Sequence, residues 1–189
     1  DVILGTHGRS IIILDDITML EKLDASVLAS DVHLFQPRET VLFYEQRALP
    51  SPGAGKFAGP NPPYGVLITY YLKDNPPEEK AQGKEEEESP ESPAGVKIVI
   101  LDAEGNVIRE LTGPDRRGFN RVNWDLRYSL LFEPKKGDEG WFGPHKGPFV
   151  LPGEYTVKLI ARGQELTRQV KVIIDPQART TMEDLQARH

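Results

Sequence analysis

Short runs of β-branched and aliphatic residues recur along this chain, separated by Gly, Pro, Asn and Asp, a rhythm that predicts short strands joined by turns. Val2-Ile3-Leu4 and Ile11-Ile12-Ile13-Leu14 flank Gly5 to Ser10, a hairpin pattern with its turn near His7-Gly8. A lone hairpin is marginal in water, so this pair must pack on something, and it reads as the end of a larger sheet upstream. Asp15-Asp16-Ile17-Thr18 can cap a short helix running to about Leu28, with Met19, Leu20, Leu23, Val27 and Leu28 at helical spacing. Val32 to Phe35 and Val41 to Tyr44 are extended pieces, and Ala48 to Pro63 is rich in Pro and Gly and reads as linker.

A second series of strands opens at Gly65 to Leu72. It resumes with Val96 to Leu101 and Val107 to Leu111 around a Gly-containing loop, and continues through Arg121 to Leu126. In that last stretch polar and apolar residues alternate, placing Trp124 on the inward side. Glu154 to Ile160 and Thr167 to Ile174 close the series as a hairpin about Arg162-Gly163-Gln164. Seven or so short strands without intervening helices predict a β-sandwich. Pro176 ends it, and Thr180 to Leu185 begins a further helix with a capping-box pattern.

Composition sharpens this picture. Gly 17 and Pro 16 in 189 residues favour loops over long helices, and no apolar run approaches the roughly 20 residues of a membrane span. The net charge of -6 is concentrated between Glu78 and Glu91, where seven Glu face two Lys. The rest is nearly neutral, which argues against a nucleic-acid partner, since that needs a basic face. The acidic stretch, residues 75–94, has almost no apolar side chain to repay its ordering and is expected to be a disordered loop. With no Cys, disulfides, thiolate zinc sites and Cys nucleophiles are excluded together. The chain opens on Asp1 in a strand-like stretch, without an initiator Met or a signal pattern, so it is expected to be part of a longer polypeptide with any export signal upstream.

Two stretches carry a family resemblance. Residues 1–16, with Gly-Thr-His-Gly-Arg from Gly5 to Arg9, resemble the closing blade of sortilin-like, BNR-repeat β-propellers of large bacterial proteins often labelled glycosyl hydrolases. Val96 to Leu111, Asn120 to Leu126 and Leu151-Pro152-Gly153-Glu154-Tyr155 to Leu159 are similar to the immunoglobulin-like module of flagellar hook-cap proteins. The shared pattern is Asp-x-x-Gly-x-x-[Val/Ile]-Arg, then Val-x-Trp-Asp, then Pro-Gly-x-Tyr. The Asp-box signature Ser-x-Asp-x-Gly-x-x-Trp is absent, so the bulk of such a propeller, with any active site, would lie outside these residues. The resemblance implies an all-β chain: an immunoglobulin/fibronectin-III-like β-sandwich at 64–175, preceded by a terminal propeller hairpin at 1–16. Residues 17–63 form the linker with a short helix and extended pieces, and 176–189 start a C-terminal helix. It further implies an extracytoplasmic location and, as partner, an upstream propeller that the sandwich supports or positions.

Candidate chemistry is sparse. The loop from about Ser129 to Leu151 is long for a compact domain, and with Tyr128 it offers Trp141, Phe142 and His145. Exposed aromatic faces next to polar groups suit a sugar or peptide, so these are the candidate ligand-binding residues of an alternative reading, an accessory module of a propeller hydrolase. The competing reading packs the same rings over the sandwich. His7 and Arg9 near Asp15 and Asp16 lie at a turn, where local hydrogen bonding accounts for them, and Asp15-Asp16 suits a helix cap better than a metal pair. The four His (His7, His33, His145, His189) are scattered, with no metal-ligand spacing. Asp125 with Glu133, or Glu154 with Asp175, are the acids that a glycosidase pair would have to use, yet nothing in the sequence makes them converge. Gly-x-Ser-x-Gly is missing, and Gly53-Ala54-Gly55-Lys56 lacks the strand and helix of a phosphate loop. The sequence therefore yields no catalytic residue, no metal site and no cofactor.

Overall fold

The computed structural model describes residues 1–8, 11–43, 62–75, 96–130, 146–178 and 182–188. Over these described residues the chain is all-β with three short helices. Its strands are β1 (Val2–Gly5), β2 (Ile11–Leu14), β3 (Val32–Leu34), β4 (Thr40–Leu42), β5 (Val66–Leu72), β6 (Val96–Leu101), β7 (Val107–Gly113), β8 (Gly118–Trp124), β9 (Gly153–Ala161) and β10 (Gln164–Ile174). β1 and β2 pair as a separate hairpin. The others form a five-stranded sheet in the order β4-β10-β9-β6-β7 and a three-stranded sheet in the order β3-β5-β8. All pairings are antiparallel except β4 with β10, which is parallel.

Alternation along each strand decides what lies between the sheets. From β5 come Val66, Ile68, Tyr70 and Leu72, from β6 Ile98 and Ile100, and from β9 Tyr155, Val157 and Leu159. These join Leu34, Trp124, Val170 and Val172 in one buried cluster fed by both sheets. Trp124 is fully buried, as the alternation of Arg121 to Leu126 requires. It meets Tyr155 edge-on at 5.3 Å and donates its Nε1–H to the Arg127 carbonyl at 3.1 Å. Gly113 lies so near the Tyr70 hydroxyl that a Cβ would stand 2.4 Å from it. That hydroxyl in turn donates to the Pro114 carbonyl, which satisfies a buried polar group.

The extended pieces within 17–63 enter these sheets. β3 runs beside β5, with Val32 opposite Leu72 and Leu34 opposite Tyr70, and β4 lies along β10. Where the spacing predicts one helix to about Leu28, there are two, α1 (Thr18–Glu21) and α2 (Ala25–Ala29). Asp24 divides them: its backbone is extended, and its carboxylate accepts the Val27 N–H and the Ser26 hydroxyl, capping a new helix rather than continuing the old one. Those same hydrogen bonds hold its pKa below the usual carboxylate value. After β10, α3 (Met182–Arg188) forms in the expected C-terminal segment. No helix among the described residues is long and apolar enough to cross a membrane. Apart from Asn75, the expected acidic loop at 75–94 lies outside the described residues.

Candidate functional site

Of the four candidate binding residues, only Tyr128 falls within the described residues; Trp141, Phe142 and His145 lie outside them. Tyr128 stands at the neck of the long loop and is packed there. Its ring leans on the core cluster, its N–H donates to the Pro148 carbonyl at 3.0 Å, and its own carbonyl accepts from Arg109. Burial raises the pKa of its hydroxyl. The two stems of the loop are tied by Val150 N–H to Leu126 O at 2.8 Å and by an isolated antiparallel bridge between Arg127 and Phe149. The Arg127 guanidinium stacks 3.6 Å from the centre of the Phe149 ring and donates to the Gly147 carbonyl at 2.7 Å. A Cβ on Gly147 would fall 2.1 Å from the Tyr128 carbonyl oxygen, so the stems are in contact at that point. Tyr128 is thus partly buried against the core at the base of this loop.

A different feature stands out at the other end of the chain. In the hairpin, Ile3 faces Ile13 and Gly5 faces Ile11, while Val2 faces Leu14 and Leu4 faces Ile12. Because the pleat alternates, the first two pairs lie on one face and the last two on the other. Ile3, Leu4, Ile11, Ile12, Ile13 and Leu14 are all exposed, between 45% and 72%. Both faces are therefore apolar and open to water. Neither strand carries a Lys, a Pro or an inward charge, the usual protections of an edge.

The hairpin meets the sandwich at an elbow, Asp16, whose φ of 49° is a conformation that Asp tolerates better than most residues. Three hydrogen bonds fix it. Its N–H donates to Asp1 Oδ1 at 2.8 Å, its Oδ1 accepts the Thr18 N–H at 3.2 Å, and its carbonyl accepts from Arg121 at 3.1 Å. Arg38 adds looser ion pairs to Asp1 at 3.6 Å and Asp16 at 3.9 Å. Neither Arg121 nor Arg38 is marked by sequence spacing, because each meets Asp16 only after the sheets have formed.

The remaining nominees do not assemble. His7 is exposed in its turn, Glu154 stands opposite Lys171 in the β9–β10 ladder, and Asp175 follows the end of β10. Asp125 lies 3.9 Å from Arg127, and its nominated partner Glu133 is outside the described residues. His33 packs edge-on to Phe35 at 4.7 Å, and burial, with a lesser contribution from Arg168, lowers its pKa. Among the described residues, no three His, Cys, Asp or Glu come together as metal ligands. In comparisons with known proteins, the chain matches no family model, no curated protein and no solved structure.

Proposed function

We propose that this chain is a non-catalytic, immunoglobulin/fibronectin-III-like β-sandwich that supports and orients a β-propeller in an extracytoplasmic protein, with the β1–β2 hairpin as the piece that enters the propeller. The strand order supports the sandwich type. Taking β3 and β4 as a split first strand A/A′, and β5, β6, β7, β8, β9 and β10 as B, C, C′, E, F and G, the two sheets read A-B-E and A′-G-F-C-C′. This order supports the immunoglobulin-type reading, with no strand at the D position between β7 and β8. Tyr155, near the start of strand F, donates its hydroxyl back to the Leu151 carbonyl, the pattern of the tyrosine corner.

The hairpin, apolar on both faces, is the observation that carries the function. A sheet layer with water on one side needs only one apolar face, whereas a layer inside a stack of sheets needs two. A propeller blade is such a layer, packed between its neighbours. Burying the exposed half of these six side chains is worth on the order of 5–10 kcal/mol gross, enough to hold a hairpin that is marginal by itself. The Gly5 to Arg9 resemblance points to the same partner, and the sortilin-like family is where the extracytoplasmic assignment originates.

Hydrogen exchange read by mass spectrometry tests the proposal, comparing the isolated 189-residue chain with the longer polypeptide that the reading expects. Amides of β1 and β2 should exchange quickly in the isolated chain and at least a hundredfold more slowly in the parent, with β5 and β9 protected equally in both. Equal, rapid exchange of the hairpin in the two proteins would overturn it.

A further inference from the structure

We infer that Arg121 is a positioning residue, fixing the angle at which the hairpin leaves the sandwich. It lies on β8 directly opposite Thr69 of β5, on the outer side of the three-stranded sheet from Trp124. Its Nε–H donates to the Thr69 hydroxyl at 3.2 Å, while a terminal nitrogen donates to the Asp16 carbonyl at 3.1 Å and lies 3.9 Å from Met19 Sδ. A single planar group thus spans the sheet, the elbow and α1.

The chemistry of the guanidinium matters here. Its N–H groups diverge in a rigid plane, so satisfying Thr69 and Asp16 together fixes the separation and direction of the two elements. A lysine ammonium is a point charge on a flexible stem and cannot impose that geometry. The Arg38 ion pairs are longer, and the Arg38 side chain is 58% exposed even though that of Asp16 is only 15% exposed, so they add attraction with little direction. The elbow itself has no other tie to the sheet among the hydrogen bonds of Asp16: the bond its N–H donates to Asp1 closes the hairpin, and the bond its carboxylate accepts from Thr18 starts α1. Loss of the guanidinium leaves the hairpin swinging about Asp16 while the sandwich stays intact.

The absence of Cys permits clean placement of two spin labels, through Ile13→Cys on the exposed hairpin and Thr112→Cys on the exposed side of β7. Pulsed electron–electron resonance on the chain with native Arg121 should give a narrow distance distribution. Arg121→Gln and Arg121→Lys should each broaden it at least twofold, Arg38→Ala by much less, and the thermal midpoint of the sandwich should stay within a few degrees. Should Arg121→Gln fail to fold, Thr69→Val provides the second test, removing the hydroxyl anchor from an intact strand and giving intermediate broadening. A broad distribution with Arg121 present, or a distribution in Arg121→Lys as narrow as the parent's, would overturn the assignment. The outcome is independent of docking: a narrow distribution together with a hairpin unprotected in the longer polypeptide would remove the propeller reading and leave Arg121 in its role.

Discussion

Replacing Trp124 tests whether the large ring at the centre of the sandwich is core or ligand platform, and its cost can be built from its burial and two contacts. The indole has no exposed surface, so Trp124→Ala loses its transfer energy and leaves a cavity, together about 3–5 kcal/mol. Within that total, the edge-on contact with Tyr155 accounts for about 0.5–1.5 kcal/mol. Trp124→Phe keeps a ring against Tyr155 but deprives the Arg127 carbonyl of its Nε1–H donor, a loss of about 1–2 kcal/mol that falls on the neck of the long loop. Against a usual domain stability of about 5–15 kcal/mol, the alanine variant stays folded but marginal. Urea unfolding followed by far-ultraviolet circular dichroism measures both variants, since this signal is insensitive to the second tryptophan, Trp141. In a Trp141→Phe background, Trp124 emission should be blue-shifted and resistant to iodide. A cost below about 1.5 kcal/mol for Trp124→Ala, or an emission readily quenched by iodide, would refute the reasoning.

Three further outcomes are expected. Gly65 has φ 117° and an added Cβ would stand 2.0 Å from the Trp124 carbonyl oxygen, so Gly65→Ala should cost at least about 2 kcal/mol in urea unfolding, more than an ordinary surface Gly→Ala change. Arg162 forks onto Asp115 at 2.6 and 2.8 Å, joining the β9–β10 turn to the β7–β8 connection, and Asp115 is only 12% exposed; Asp115→Ala should lose about 1.5–3 kcal/mol by the same assay, and Arg162→Lys should recover little of the pair's geometry. His33, whose pKa is lowered in the folded chain, binds protons less readily there than when unfolded, so stability should fall as pH drops below the ordinary histidine value of 6.5 and level off below the folded pKa. His33→Gln should flatten that slope in urea midpoints, leaving the separate loss below about 3.8 that the lowered pKa of Asp24 contributes.

How far the fold was legible depended on how much of each signal was local. Val96 to Leu101, Val107 to Leu111 and the hairpin about Arg162-Gly163 announce themselves because strand pattern and turn chemistry sit side by side; Arg162 and Gly163 both take positive φ, as a two-residue turn demands. The strands β3 and β4 are three residues each, too short for periodicity to tell a strand from an extended linker, and their partners β5 and β10 are distant in sequence. A parallel pairing such as β4 with β10 has no turn to betray it. The break between α1 and α2 was visible in principle, since Asp24 precedes Ser26 and Val27 as a cap would, but apolar spacing across Leu23, Val27 and Leu28 suggested continuity. The candidate site was less legible. Aromatic residues in a long loop suggest a ligand whether or not their rings are open, and the contacts of the Tyr128 backbone with Gly147 and Pro148 arise only once the two stems of the loop meet.

The two broad surfaces of the molecule differ in a way that bears on where a partner sits. On the outer face of the five-stranded sheet, Lys97 pairs with Glu110 at 2.9 Å, Lys158 with Glu165 at 2.6 Å and Lys171 with Glu39 at 3.9 Å. Pairs this exposed contribute little to stability, about 0–1 kcal/mol each, but burying them under a partner would cost their hydration. Those charges favour water over a dry interface. The hairpin makes the opposite statement, with two apolar faces that water penalises, and the elbow that carries it is tied to the other sheet through Arg121 and Thr69. On the proposed docking of the hairpin into a propeller, a charge placed on it, as in Ile12→Lys, should weaken docking while leaving the sandwich's unfolding midpoint unchanged, because Ile12 lies outside the core cluster. A charge added to the outer face of β9 or β10 should alter neither.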